Sequence, residues 1–106
     1  MNFNEYQKLA RSTAVYPEEY KVIYPALGLC GEAGEVAEKV KKIVRGDDRL
    51  NNVTSSIVME LGDVLWYVSA LADDLGITLE QVAQWNVDKL QRRMQLNKIK
   101  GDGDNR

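Results

Sequence analysis

The sequence contains no histidine and a single cysteine, and these two shortages exclude several kinds of functional site. Without histidine, the chain cannot build a Ser-His-Asp triad, a Cys-His nucleophile pair, or a histidine-ligated zinc or haem site. With Cys30 alone, it cannot form an intrachain disulfide or a cysteine-cluster metal site. A lone thiol also fits a reducing compartment, so we expect a cytoplasmic protein.

Long apolar segments are missing as well. No run approaches about 18 uninterrupted apolar residues, and Met1–Ala10 lacks the apolar stretch of a signal peptide, so we expect no membrane association. With 106 residues the chain has room for one domain, which we place at residues 1–100, followed by a disordered tail at residues 101–106. The net charge of −2 gives the whole molecule no attraction to nucleic acid, and we expect no such partner.

What the sequence does contain is helical periodicity. Apolar residues recur on one stripe of the second and third predicted helices, which is typical of helices packed as an antiparallel bundle. Asn2 is a candidate N-cap, Thr78 opens a capping box with Gln81, and Gly46 and Gly76 end helices. We therefore predict an all-α fold of four helices, over about Asn4–Ala14, Pro25–Arg45, Thr54–Leu75 and Thr78–Asn97.

Two acidic pairs lie at matching places on the second and third predicted helices. Glu32 and Glu35 form a Glu-x-x-Glu motif, and Glu60 and Asp63 form a Glu-x-x-Asp motif. At about 100° per residue, the two acids of a pair lie about 60° apart, on one flank of the apolar stripe. Antiparallel packing would bring both pairs to one seam and gather four carboxylates, whose repulsion a cation or raised pKa values would relieve.

Oxygen ligands without nitrogen or sulfur suit Mg²⁺, with Mn²⁺ as a substitute, and this is the metal site that the motifs predict. A single acidic pair on a helix is usually a solvated surface, but here two matching pairs each enclose a glycine. Gly34 and Gly62 each cost about 1 kcal/mol relative to alanine inside a helix, which predicts a close approach of the two helices there. Glu38 points away from the apolar stripe and is expected to be exposed. A di-iron carboxylate bundle is excluded because it requires histidine.

Three segments, Gly28–Lys42, Glu60–Tyr67 and Asn86–Arg93, carry a resemblance to a known family. Together they resemble the MazG-like all-α nucleoside triphosphate pyrophosphohydrolases, over about Tyr6–Met94. The resemblance implies a four-helix protomer that depends on Mg²⁺ and assembles into a homo-oligomer, a dimer or a tetramer. It also implies hydrolysis of (deoxy)nucleoside triphosphates between the α- and β-phosphates to monophosphate and pyrophosphate, in nucleotide-pool control or cleansing.

The resemblance also implies roles for individual residues. The implied metal ligands are Glu32, Glu35, Glu60 and Asp63, and the basic residues that hold the phosphates are Lys89 and Arg93. Gly31 stands where many members have an acid, which leaves the general base open, with Glu35 as our candidate.

The residue pattern adds two candidate substrate contacts. Tyr67 lies four residues after Asp63 on the same helix face, where it either contacts the base or ribose or packs. Asn86 lies three residues before Lys89 and interrupts an apolar line, so it needs a partner, which is either a phosphate or a helix end. Trp66 points away from the apolar stripe, which predicts an oligomer interface.

Two other functions stay open on sequence grounds. One is a non-catalytic helical module that senses nucleotides or binds a protein, which would show no Mg²⁺-dependent turnover. The other is a nucleic-acid binder that uses the basic segment Lys89–Lys100 and loses affinity steeply with added salt. The acidic motifs oppose the second function because they repel a phosphate backbone.

Overall fold

The computed structural model describes residues 1–96, which form an all-α fold. Its four α-helices are α1 (Phe3–Arg11), α2 (Ile23–Arg45), α3 (Leu50–Asp74) and α4 (Leu79–Gln95), and a 3₁₀ turn at Glu18–Tyr20 precedes α2. The predicted fold class and number of helices are confirmed for the described part of the chain. The predicted tail at residues 101–106 and the predicted helix end at Asn97 lie outside the described residues.

The helix ends are set by the side chains that the sequence indicated. Asn2 Oδ1 accepts a hydrogen bond from the Glu5 backbone N–H at 2.9 Å and caps α1. Thr78 and Gln81 form the predicted capping box at the start of α4. Gly46 ends α2 in the left-handed conformation, at a φ of 88°, which glycine adopts without steric cost.

The third helix begins earlier than predicted, at Leu50 instead of Thr54. The predicted polar loop Arg49–Val53 is therefore mostly helix, because its polar side chains find partners inside the first turns. Asp48 Oδ1 accepts from Asn52 Nδ2 at 3.3 Å, and Thr54 Oγ1 donates to the Leu50 carbonyl at 2.7 Å.

The first helix is shorter than predicted and ends at Arg11 rather than Ala14. The Thr13 N–H bonds to the Ala10 carbonyl at 3.0 Å, three residues back, so the chain tightens into a turn. This turn brings the Thr13 hydroxyl to α3, where it accepts a hydrogen bond from Trp66 Nε1 at 2.8 Å.

Helices α2 and α3 pack antiparallel and form the largest helix pair. Gly28, early in α2, contacts Tyr67, late in α3, whereas Lys39, late in α2, pairs with Glu60, early in α3. Helices α1 and α4 pack against α3 and against each other. Helix α3 is therefore the central element of the bundle.

By length and composition, α3 is also the one described helix that is apolar enough to cross a membrane, with a mean hydropathy of 1.2. The central helix of a soluble bundle has the same character. Because α3 carries Glu60 and Asp63 and contacts all three other helices, we interpret it as a bundle helix. That the chain does not associate with membranes stays a prediction.

Gln7 joins three parts of the fold. Its side-chain amide nitrogen donates to the Ser69 carbonyl at 3.3 Å and to the Ile77 carbonyl at 3.1 Å. Its oxygen accepts from the Leu79 N–H, at the start of α4, at 3.0 Å. These bonds satisfy backbone groups that would otherwise be desolvated without a partner, so Gln7 stabilises the junction of α1, α3 and α4.

The apolar interior of the described chain is small. The buried hydrophobic side chains are Ala10, Val53, Ala70, Ala72 and Leu79. Large apolar side chains remain exposed on all four helices, including Leu27 of α2 (69%), Met59 of α3 (71%) and Met94 of α4 (72%). A single chain therefore leaves much of its apolar surface in water.

Candidate functional site

Three predicted metal ligands meet in the seam between α2 and α3. Glu32 of α2 and Glu60 and Asp63 of α3 each offer a carboxylate oxygen, and these oxygens all lie within 4.8 Å of one another. Glu60 and Asp63 are three residues apart and share a helix face, and the antiparallel packing brings Glu32 opposite them. We call these three residues the acidic group.

The charges of the acidic group are partly compensated inside the chain. A hydrogen bond with Glu60, then burial, then the charge of Asp63 raise the pKa of Glu32. Lys39 Nζ lies 3.4 Å from a Glu60 oxygen and pairs with it across the two helices. Like charges this close favour binding of a proton or a cation, and the acidic group has the oxygen donors that a divalent cation prefers.

The fourth predicted ligand, Glu35, does not join the acidic group. It lies on the exposed surface of α2, one turn beyond Glu32, and its charge contributes to raising the pKa of Glu32. Glu38 is exposed, as predicted, and pairs with Lys41 at 3.0 Å. Glu35 therefore borders the acidic group on its solvent side.

Tyr67 packs directly on the backbone of α2 at Gly28. A Cβ atom at Gly28 would lie 2.1 Å from Tyr67 Cε1, so only glycine leaves room for this ring. Burial, the neighbouring Tyr24, and the charges of Glu32 and Asp63 raise the pKa of Tyr67. Tyr67 is therefore placed beside the acidic group, on the face that the sequence predicted.

The predicted close approach at Gly34 and Gly62 is wrong. In the described part of the chain, no atom lies within 4 Å of a Cβ built at either position. The close contact between the two helices lies at Gly28, about two turns earlier in α2. There the ring of Tyr67 packs on the α2 backbone. No local pattern marks Gly28 as the contact, since its partner Tyr67 is 39 positions away in the sequence.

A cavity of about 330 Å³ opens next to the acidic group. Its lining residues are Thr13, Glu32, Asp63, Trp66 and Tyr67. The expectation that Trp66 points away from the bundle is wrong, because its indole N–H bonds to Thr13 and its ring meets Tyr67 edge-on at 5.0 Å. The sequence did indicate this orientation of Trp66, since Trp66 is three residues after Asp63 and therefore lies on the same side of α3.

The three predicted substrate-contacting residues of α4 differ in environment. Arg93 is buried (5% exposed) and Lys89 is half-buried, so neither is a fully solvated charge. Both take part in interactions with other groups. Asn86 is exposed, so the expectation that it interrupts a buried apolar line is wrong. All three lie on a helix that packs on α1 and α3, and their contact with the substrate stays a prediction.

Residues 25–96 match the family described as the MazG nucleotide pyrophosphohydrolase domain. The chain belongs to this family. The MazG match includes α3, α4 and nearly all of α2, and it therefore contains the whole acidic group. Members of the MazG family are typically metal-dependent, in keeping with this cluster. Helix α1 and the turn that follows it, which supply Thr13, lie outside the match.

Two curated proteins resemble this MazG chain. It is 43% identical to the Gene 37 protein of Mycobacterium phage L5, over 100% of both chains. It is 35% identical to the uncharacterized protein YvdC of Bacillus subtilis (strain 168), over 63% of this chain and 70% of that protein. No solved structure matches the chain significantly.

Proposed function

We propose that this MazG domain is a Mg²⁺-dependent nucleoside triphosphate pyrophosphohydrolase. It would hydrolyse (deoxy)nucleoside triphosphates between the α- and β-phosphates, yielding a monophosphate and pyrophosphate, and so control or cleanse the nucleotide pool. The observation that carries the proposal is the acidic group, three carboxylates with oxygens within 4.8 Å of one another in a family of nucleotide pyrophosphohydrolases.

The donor atoms of the acidic group fit a hard divalent cation. Carboxylate oxygens without nitrogen or sulfur suit Mg²⁺, and Mn²⁺ as its substitute. When bound, such an ion neutralises phosphate charge and acidifies a water molecule. Glu32, Glu60 and Asp63 would hold it, and Lys39 would give up its contact with Glu60 as the cation takes over the charge compensation.

The other predicted site residues would act on the substrate. Glu35 borders the acidic group from the exposed surface, where its carboxylate can accept the proton of the attacking water or complete the metal site. Lys89 and Arg93 would hold the phosphates, because cationic side chains stabilise the charge of the departing pyrophosphate. Tyr67 and Asn86 would contact the nucleoside or the phosphates.

Product analysis tests this reaction. The purified chain is incubated with each ribo- and deoxyribonucleoside triphosphate and Mg²⁺, and the phosphorus-containing products are separated. We expect equal amounts of monophosphate and pyrophosphate. Orthophosphate alone would contradict the proposal, and nucleotide binding without turnover would instead indicate a nucleotide sensor.

Single substitutions of Asp63 and Glu35 should separate an effect on catalysis from an effect on folding. Asp63→Ala and Glu35→Ala should abolish turnover, while the helical content measured by circular dichroism stays unchanged, because both side chains are exposed. The matched control is Glu38→Ala, which removes an exposed carboxylate from the same helix as Glu35 and should leave turnover unchanged. Equal loss of activity in the control would show that the effect is not specific to the site.

We also propose that the domain functions as a homo-oligomer, a dimer or a tetramer. Large apolar side chains on α2, α3 and α4 are exposed in the described part of the single chain. Burying such surface against a second copy would stabilise a protomer whose own apolar interior is small.

A further inference from the structure

A second cavity adjoins the one at the acidic group. It has a volume of about 350 Å³ and is lined by Thr13, Val15, Tyr16, Pro17, Tyr24 and Trp66. Thr13 and Trp66 line both cavities, so the two are neighbours that share a wall. Carboxylates line one of these adjacent cavities, and aromatic rings line the other.

The aromatic cavity presents ring faces in contact with one another. Tyr16 and Tyr24 are stacked, with ring centroids 4.9 Å apart and planes inclined by 22°. Tyr24 in turn lies 6.2 Å from Tyr67, which borders the acidic group. A continuous run of rings therefore leads from the aromatic cavity to the carboxylates.

The polar groups of this aromatic wall already have partners within the chain. Trp66 Nε1 donates to Thr13 Oγ1 at 2.8 Å, and the Thr13 hydroxyl donates to the Ala10 carbonyl at 2.7 Å. The Tyr16 hydroxyl donates to Asp74 Oδ2 at 2.7 Å. A planar ligand that enters from solvent therefore meets ring faces and apolar atoms, and these groups offer it no specific hydrogen bond in the described structure.

Asp74 holds the Tyr16 side of the cavity in place. Its side chain is fully buried, and it accepts hydrogen bonds from Arg11 Nη2 at 2.6 Å, from the Tyr16 hydroxyl and from the Val22 N–H at 2.9 Å. Val22 has a φ of 68°, a conformation that a β-branched residue rarely adopts. Asp74 thereby fixes both ends of the segment at residues 16–22 against the end of α3.

We propose that this aromatic cavity receives the nucleobase by stacking, so that the domain selects nucleotides by ring size and not by hydrogen-bonding pattern, with Asp74 as a positioning residue for Tyr16. The inference rests on the proposed function and adds the recognition of the base to it. Most of the cavity comes from residues before the matched MazG region, so it is a property of this chain's own N-terminal segment.

Recognition by stacking limits how strongly the domain can discriminate between bases of equal ring size. Stacking on aromatic rings tolerates any base, since every base has a π-face. Apolar sites discriminate weakly between ligands that differ in polar substituents, by about a hundredfold at most, whereas sites built from polar partners discriminate by about ten-thousandfold. We expect the dissociation constants of adenine and guanine nucleotides to agree within about tenfold, and likewise those of cytosine and uracil nucleotides.

Trp66 fluorescence tests the location of the base directly. In a Trp85→Phe background, which removes an exposed indole of α4, Trp66 is the one remaining tryptophan. α,β-Methylene analogues of the nucleoside triphosphates, added with Mg²⁺, should quench its emission. Inorganic tripolyphosphate should bind, as measured by calorimetry, without quenching. Nucleotide binding without a change in Trp66 emission, or a preference above about a hundredfold between bases of equal ring size, would overturn the inference.

Substitutions of the aromatic wall give a second readout. Tyr16→Leu should raise the dissociation constant for the nucleotide analogues about tenfold, equivalent to about 1.4 kcal/mol, and leave that for tripolyphosphate unchanged. Tyr16→Phe keeps the ring and should retain most of the affinity. Asp74→Asn should raise KM for nucleotides with little change in kcat. Asp74 positions Tyr16, which contacts the base, and it does not contact the reacting phosphate.

The outcomes separate the two proposals. If the wild-type chain hydrolyses nucleotides but Tyr16→Leu binds analogues and tripolyphosphate as the wild type does, the base cavity is overturned and the proposed function stands. If neither nucleotide nor tripolyphosphate binds, the proposed function itself fails and takes the base cavity with it. Circular dichroism of each variant shows whether the fold is retained.

Discussion

The contact between Gly28 and Tyr67 shows how a single residue shapes the site. A methyl group at Gly28 would overlap the tyrosine ring, at 2.1 Å from Cε1, so the ring or the helix must move. We expect Gly28→Ala to lower the free energy of unfolding by about 1–3 kcal/mol, the usual cost of overpacking. It should also reduce turnover, because Tyr67 is displaced from the acidic group. Urea denaturation and steady-state kinetics measure the two effects.

Gly34 of the same helix provides the matched control. A Cβ atom there meets nothing within 4 Å in the described structure. Gly34→Ala should therefore stabilise the chain by about 1 kcal/mol, through helix propensity alone. If both substitutions had the same effect on stability, the packing of Tyr67 on Gly28 would be refuted.

Which site residues the sequence could predict depends on how local their geometry is. Glu60 and Asp63 were predictable because three residues along a helix always share a face. Thr13 was not, since its bond to Trp66 joins positions 53 residues apart. Nor was the pairing of Lys39 with Glu60, since the antiparallel packing joins positions 21 residues apart.

At the scale of elements, periodicity and capping residues predicted the four helices, but not where every one begins or ends. Asn2 and Gly46 mark ends by local chemistry, so the sequence alone suffices. The start of α3 at Leu50 depends on polar side chains that bond inside the helix instead of ending it. The bonds of Gln7 depend on tertiary structure, which no local pattern contains.

The anchoring of the α1–α2 connection by Asp74 has a predictable pH dependence. Burial alone would raise the pKa of Asp74, but hydrogen bonds from Val22, Tyr16 and Arg11 outweigh it and lower the pKa below its ordinary 3.8. A carboxylate with a lowered pKa stabilises the fold fully above the pKa of the unfolded state. That stabilisation is lost as the pH falls through the lower folded-state value.

We therefore expect Asp74→Asn to be less stable than the wild type at pH 7, by about 1–3 kcal/mol, because it replaces the buried carboxylate that accepts from Arg11, while Arg11 is one-third exposed and keeps its ion pair with Asp73. The difference should shrink at pH 3, where protonation weakens the wild-type contact as well. Urea denaturation of both proteins at the two pH values and equal concentrations measures this. A difference that is the same at both pH values would contradict the account of Asp74.

At the scale of the whole molecule, the small apolar interior makes self-association the central prediction. Leu27, Met59 and Met94 are exposed on three different helices of the described chain. We expect size-exclusion chromatography with light scattering to give two or four times the 12.0 kDa chain mass at micromolar concentration. A monomer under those conditions would refute the oligomer. The sequence indicated self-association through its resemblance to a family and through the expected outward position of Trp66, which the structure corrects.

The most direct test of the account is the binding of a divalent ion to the acidic group, measured with Mn²⁺ by electron paramagnetic resonance. The wild-type chain should bind Mn²⁺ and release it on addition of Mg²⁺. Asp63→Ala should weaken binding about tenfold or more, whereas Glu38→Ala should bind as the wild type does. Equal affinity of Asp63→Ala and the wild type for Mn²⁺ would contradict the claim that Glu32, Glu60 and Asp63 form a metal site.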